Sequence, residues 1–115
     1  MQNTLETISA EDKAFFEEMD YFNTYGKTFG AQSRWSIYDE GIKMGNEHPF
    51  GDNVKIRHKC DIYNYDVTVP VKGNKWGDVW LAADKAIVQS GDLHHIFIEG
   101  FEKNSNGELE LHTGS

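Results

Sequence analysis

The chain has 115 residues and a formal charge of −8, from 19 acidic and 11 basic side chains. That length suits one compact domain, expected to span 1–115, and the excess of acid repels phosphate backbones, so nucleic acid is not an expected partner. Cys60 is the only cysteine, so no intrachain disulfide can form. No run approaches the ~20 apolar residues of a membrane helix. The polar stretch 1–10 lacks the apolar segment of a secretory leader, and the expectation is a cytoplasmic protein with no membrane association.

In chain order, Ser9 and Asp12 resemble a capping box with Asp in place of the usual Glu. Phe15, Phe16, Met19 and Phe22 then recur at helical spacing, giving a first helix near 9–25. Residues 33–39 alternate, with Trp35 and Ile37 on one side, as in a half-buried strand. The stretch 45–53, with Pro49 and two glycines, reads as loop.

Residues 54–71 contain a change of phase. Val54, Ile56, His58, Cys60 and Ile62 share one parity, whereas Tyr63, Tyr65, Val67, Val69 and Val71 share the other. One flat strand cannot bury both sets on the same face, so a turn or bulge is required within 61–65, and two strands are preferred. Pro70 points to an edge or a strand end.

Trp76, Val79, Trp80, Ala83, Ala86 and Ile87 follow at helical spacing, with Asn74 as a candidate cap and Gly91 as the stop. A strand at 93–101, an Asn106-Gly107 turn and a strand at 108–112 complete the chain. The order α-β-β-β-α-β-β predicts an α+β fold: a two-layer sandwich with both helices on one face of a mostly antiparallel sheet of about five strands. Phe15, Met19, Phe22, Val79, Trp80, Ala83 and Ile87 are the expected helix contacts.

No Gly-x-Gly-x-x-Gly or Walker pattern is present, no carboxylate pair carries an acid–base argument, and no cofactor or catalytic residue is assigned. His58 and Cys60 share a strand face, as metal ligands or a Cys–His pair would, with His94 or His95 brought in by sheet pairing. The plainer reading makes His58 and Cys60 partly buried filler beside Ile56 and Ile62. Lys55, Arg57 and Lys59 form a basic stripe that fits a docking surface or, more simply, a solvent face that protects a sheet edge. In a regular strand Leu93, Phe97 and Phe101 lie on the side away from the helices. Such a cluster suggests an interface, most simply with a second copy of the chain.

The blocks 75–85 (KWGDVWLAADK) and 90–99 (SGDLHHIFIE), and the segment 48–51 (HPFG), resemble small uncharacterised proteins of marine tailed bacteriophages. The resemblance implies an accessory role in an infected bacterium, with a host or phage protein as a possible partner, and it carries no active site. The leading expectation is therefore a small acidic protein acting by protein–protein contact as a homo-oligomer. A metal- or Cys-dependent enzyme centred on His58 and Cys60, or an acidic imitation of nucleic acid, are the alternatives.

Overall fold

The structure, a computed structural model, describes residues 10–115. The expected capping pair at Ser9 lies outside the described residues. The elements are α1 (Ala10–Thr28), β1 (Arg34–Trp35), β2 (Lys55–Cys60), β3 (Tyr65–Pro70), α2 (Trp76–Ser90), β4 (Phe97–Lys103) and β5 (Leu109–Gly114). The α+β class and the element order match the sequence reading. Among the described residues no helix is long and apolar enough to cross a membrane.

The phase change at 61–65 is a turn between two strands, closed by Asn64 at φ 56°. It lets Ile56 and His58 pair with Val69 and Val67. All four side chains can then share one face, which a continuous strand would forbid. Pro70 ends β3, the outermost strand, where its missing N–H leaves no ladder bond unmade. The α2 helix starts with the Lys75 N–H donating to the Asp78 carboxylate at 3.0 Å, so Lys75 rather than Asn74 is the cap. It stops at Gly91, whose φ of 78° suits a residue without Cβ.

The sheet is mixed, not mostly antiparallel. Its order is β1-β4-β5-β2-β3. The hairpins β2–β3 and β4–β5 are antiparallel, while β1 runs parallel to β4 and β2 parallel to β5. The reason lies in α2, which crosses over between the hairpins so that β4 runs in the same direction as β3. The last strand then lies alongside β2 pointing the same way. A parallel pair needs a long crossover of this kind.

Trp35 is the centre of the core. Its ring lies 6.0 Å from Phe22 of α1, 6.0 and 5.5 Å from Trp76 and Trp80 of α2, and 5.9 Å from Phe101 of β4. Its indole N–H donates to the Ile37 carbonyl at 2.8 Å. The strand expected over 33–39 pairs in register only at Arg34 and Trp35, and the last bond to β4 is from the Ser36 amide to the Ile98 carbonyl at 2.9 Å. Val79, Trp80, Ala83 and Ile87 are buried as the α2 stripe requires, and so is Phe22. Phe15 is not: the first turns of α1 carry it clear of the core, where it meets Tyr38 edge-on at 5.4 Å.

A buried polar knot fastens α2 to β1. Asp84 Oδ1 accepts from the Gln32 and Ser33 amides at 2.9 and 2.8 Å and from the Ser33 hydroxyl at 2.6 Å. The same hydroxyl oxygen accepts from the Trp80 indole N–H at 3.0 Å. Close helix packing also needs Gly77, because a Cβ there would collide with the Tyr25 hydroxyl.

The strand β4 contains an irregularity between Ile98 and Gly100. Ile98 faces Thr113 and Phe101 faces Leu111, so three steps on β4 match two on β5 and Glu99 is the extra residue. The expected alternation over 93–101 therefore fails at this point. Phe101 turns to the side of Ile98 and packs against the core, 6.3 Å from Phe50.

A candidate ligand cleft at His58, Tyr65, Asp92 and His95

A cleft of about 440 Å³ opens where the core face of the sheet runs out beyond the end of α2. From the sheet it is lined by His58, Cys60, Tyr65, Leu111 and Thr113, and from the loop after α2 by Asp92 and His95. Ile62 and Tyr63, in the β2–β3 turn, stand at its mouth. Ile62 is 88% exposed, a large apolar side chain held out in water beside the cavity.

Local chain chemistry builds this arrangement. The left-handed Gly91 ends α2 and presents Asp92, whose backbone N–H donates to the Ser90 hydroxyl at 3.1 Å. Asp92 Oδ1 then accepts the His94 amide at 3.1 Å, a short loop bond typical of Asp. Its Oδ2 takes the His95 ring at Nδ1, 2.8 Å away, and the Tyr65 hydroxyl at 3.3 Å. With Nδ1 donating, Nε2 is the acceptor of the neutral His95 ring. Burial pushes the Asp92 carboxyl up, but the His95 and His94 hydrogen bonds, the His95 charge and the Tyr65 hydroxyl outweigh it and hold the group below its usual value. Burial and the Asp92 charge push the Tyr65 phenol up to about 12, so it remains a neutral donor.

His58 is the anomaly. It is only 2% exposed, and neither ring nitrogen has a hydrogen-bond partner. The Tyr65 ring lies over it at 4.8 Å. Burial drives its pKa down, against the pull of the Asp92 carboxylate and with a smaller push from His95, so the ring is held neutral. A buried unpartnered polar group costs about 1–3 kcal/mol, and in a native fold such a group calls for an explanation, a functional role or a bound molecule among them.

His58 makes stability depend on pH. Its unfolded value is 6.5 and its folded value is lower, so the unfolded chain binds more protons. The contribution is full above 6.5 and is lost as pH falls through the folded value. Urea titrations between pH 8 and 5 are expected to show this decline, and extending them below pH 3.8 is expected to show a second loss from Asp92. His58→Leu is expected to flatten the first decline and to raise stability at pH 7 by about 1 kcal/mol. An unchanged pH slope in that variant would refute the assignment.

The sequence-derived candidates distribute as follows. His58 and Cys60 share the cleft wall, and His95 joins them from the loop rather than by sheet pairing, since β4 begins only at Phe97. His94 is exposed. Among the described residues no three His, Cys, Asp or Glu side chains converge as a metal ion requires. Leu93 and Phe97 are 54% and 39% exposed, while Phe101 sits among core rings. His48 is a buried structural residue between the Phe50 N–H and the Gly73 carbonyl. Two of the three stripe residues are ion-paired: Arg57 meets both oxygens of Asp66 at 2.9 and 3.1 Å, and Lys59 lies 3.7 Å from Asp61. Asp92 and Tyr65 were not singled out as site residues from the sequence. The available signals were Asp92 directly after a helix-ending glycine, three residues before His95, and the hairpin that puts Tyr65 opposite Cys60.

Comparison with known proteins adds no further constraint: no family model, no curated protein and no solved structure matches the chain.

Proposed function

We propose that this protein binds a small ligand in the His58–Tyr65–Asp92–His95 cleft, with the His95 ring held in place by Asp92. The observation that carries this reading is the fully buried imidazole of His58, unpartnered at both nitrogens on the wall of a cleft. Convergent polar groups with shifted pKa values in a partly apolar cavity are the usual marks of a ligand site. A larger depression, of about 730 Å³, lies between 52–55 and 70–74, but among the described residues none of its lining side chains is a buried polar group without a partner. The resemblance of 75–85 and 90–99 to small phage proteins supports an accessory role for such a binder in the bacterial cytoplasm.

A thermal-shift screen of small fragments tests this. A ligand at 100 times its Kd stabilises the folded state by about 2.7 kcal/mol, a readily measured rise in Tm. Hits are expected to lose at least tenfold in affinity in His95→Ala. Hits that bind this variant as well as the unmodified chain would locate binding elsewhere and remove the proposal.

Self-association is a second reading, favoured by the exposure of Leu93 and Phe97. It takes α1 and α2 as one layer of a two-layer sandwich, supported by the contact of Phe22 and Trp80 with the same Trp35 ring. The opposite side then carries the interface, near Phe97 and without Phe101. Light scattering on a gel-filtration column is expected to show a dimer that Phe97→Asp dissociates without loss of helix signal, through the cost of burying a charge. A monomer at high concentration would dismiss it.

A further inference from the structure

Resting on the ligand-binding reading, we infer that the cleft takes an uncharged planar nitrogen heterocycle, of the class a free nucleobase represents, which stacks on Tyr63 and pairs its polar edge with His58. Three observations select this class.

The walls are aromatic. The Tyr63 and His95 rings lie 5.6 Å apart at 46°, and the His58 and Tyr65 rings 4.8 Å apart at 54°. Tyr63 is exposed at the mouth, a flat face without a partner on its solvent side. Flat π-faced molecules gain most from such surroundings.

The charges are already used. The Asp92 carboxylate is occupied by His95, Tyr65 and the His94 amide. Lys59 and His112 also line the cleft, but each stands beside a carboxylate, Asp61 at 3.7 Å and Glu102 at 3.3 Å, so an uncharged ligand enters without competing for either pair.

The empty hydrogen-bonding capacity is one donor and one acceptor. A neutral imidazole has one N–H and one bare nitrogen, and His58 uses neither. The two ring nitrogens point in divergent directions, so a base edge, which carries both donors and acceptors, can meet one of them, as donor or as acceptor. Tyr65 covers the imidazole, and its hydroxyl is held by the long 3.3 Å bond to Asp92. Both nitrogens are sealed in the structure, so pairing to His58 requires the Tyr65 side chain to move aside as the ligand enters.

The test is a titration of 15N-labelled protein with adenine, hypoxanthine, cytosine and uracil, alongside adenosine monophosphate and a non-planar cyclic lactam. At least one base is expected to move the His58 ring nitrogens and the Tyr63 and His95 amides saturably, with Kd below 1 mM by the usual fragment scale. Tyr63→Ala and His58→Leu, checked as folded by their amide spectra, are each expected to weaken that base about tenfold or more, and the monophosphate is expected to bind less well than its base. If the lactam shifts the His58 ring and no base does, the ligand class is wrong and the cleft remains a binding site. If neither does, both readings fall. Equal base affinity in His58→Leu overturns the pairing to His58.

Discussion

Asp84→Ala is expected to lower the unfolding free energy by about 3–5 kcal/mol, because removing one partner of a buried charged network strands the others. The carboxylate takes three donors from Gln32 and Ser33, and the Ser33 hydroxyl in turn holds the Trp80 indole N–H. Alanine leaves the Ser33 amide and hydroxyl buried without that acceptor and loosens β1 from α2. Asp84→Asn keeps one carbonyl oxygen, so a distinctly smaller loss is expected. Urea melts of the two variants, at unchanged slope, measure the difference. An alanine variant as stable as the unmodified chain would show that the knot is dispensable.

Trp35→Ala is expected to be equally severe, about 3–5 kcal/mol, in line with large-to-small changes at fully buried aromatic sites. The ring touches Phe22, Trp76, Trp80 and Phe101, so its loss opens a cavity shared by α1, α2 and β4. Domains of this size hold only about 5–15 kcal/mol in total, and the variant is expected to be partly unfolded at 37 °C. Trp35→Phe fills most of the space but leaves the Ile37 carbonyl without its indole donor. Thermal unfolding followed by circular dichroism is expected to rank it between the two.

The elements whose signals are local were legible from the residues. The α2 stripe, the Gly91 stop and the reversal of parity at 61–65 depend only on neighbouring side chains, and each appears as read. The direction of strand pairing was not legible, because it follows from where α2 returns the chain, which is a long-range packing result. Nor was the inward turn of Phe101. One extra residue at Glu99 inverts the alternation from there onward, and Gly100 was the only local hint. The α1 stripe predicts packing through Phe15, Met19 and Phe22, yet periodicity marks a face without saying how far the rest of the protein extends beneath it. Phe15 lies beyond that limit. The candidate site was half legible: His58 and Cys60 stood out on one face, but Asp92 and Tyr65 enter through a loop turn and a hairpin register. Neither shows in a residue count.

The parallel junction of β2 with β5 is short, matching only Ile56 with Leu109 and Arg57 with Glu110. The sheet is in effect two self-closing hairpins spliced along a brief seam. Hairpins close by local contacts within microseconds, whereas a junction between distant segments waits on the chain between them. The cleft lies where this splice ends, taking His58 and Tyr65 from one hairpin, Thr113 from the other and Asp92 and His95 from the connection. A molecule lodged there therefore cross-links parts that the backbone itself joins weakly and late. Contacts formed after the folding transition state slow unfolding far more than they speed folding, so occupancy lengthens the life of the native state and leaves the rate of reaching it almost unchanged.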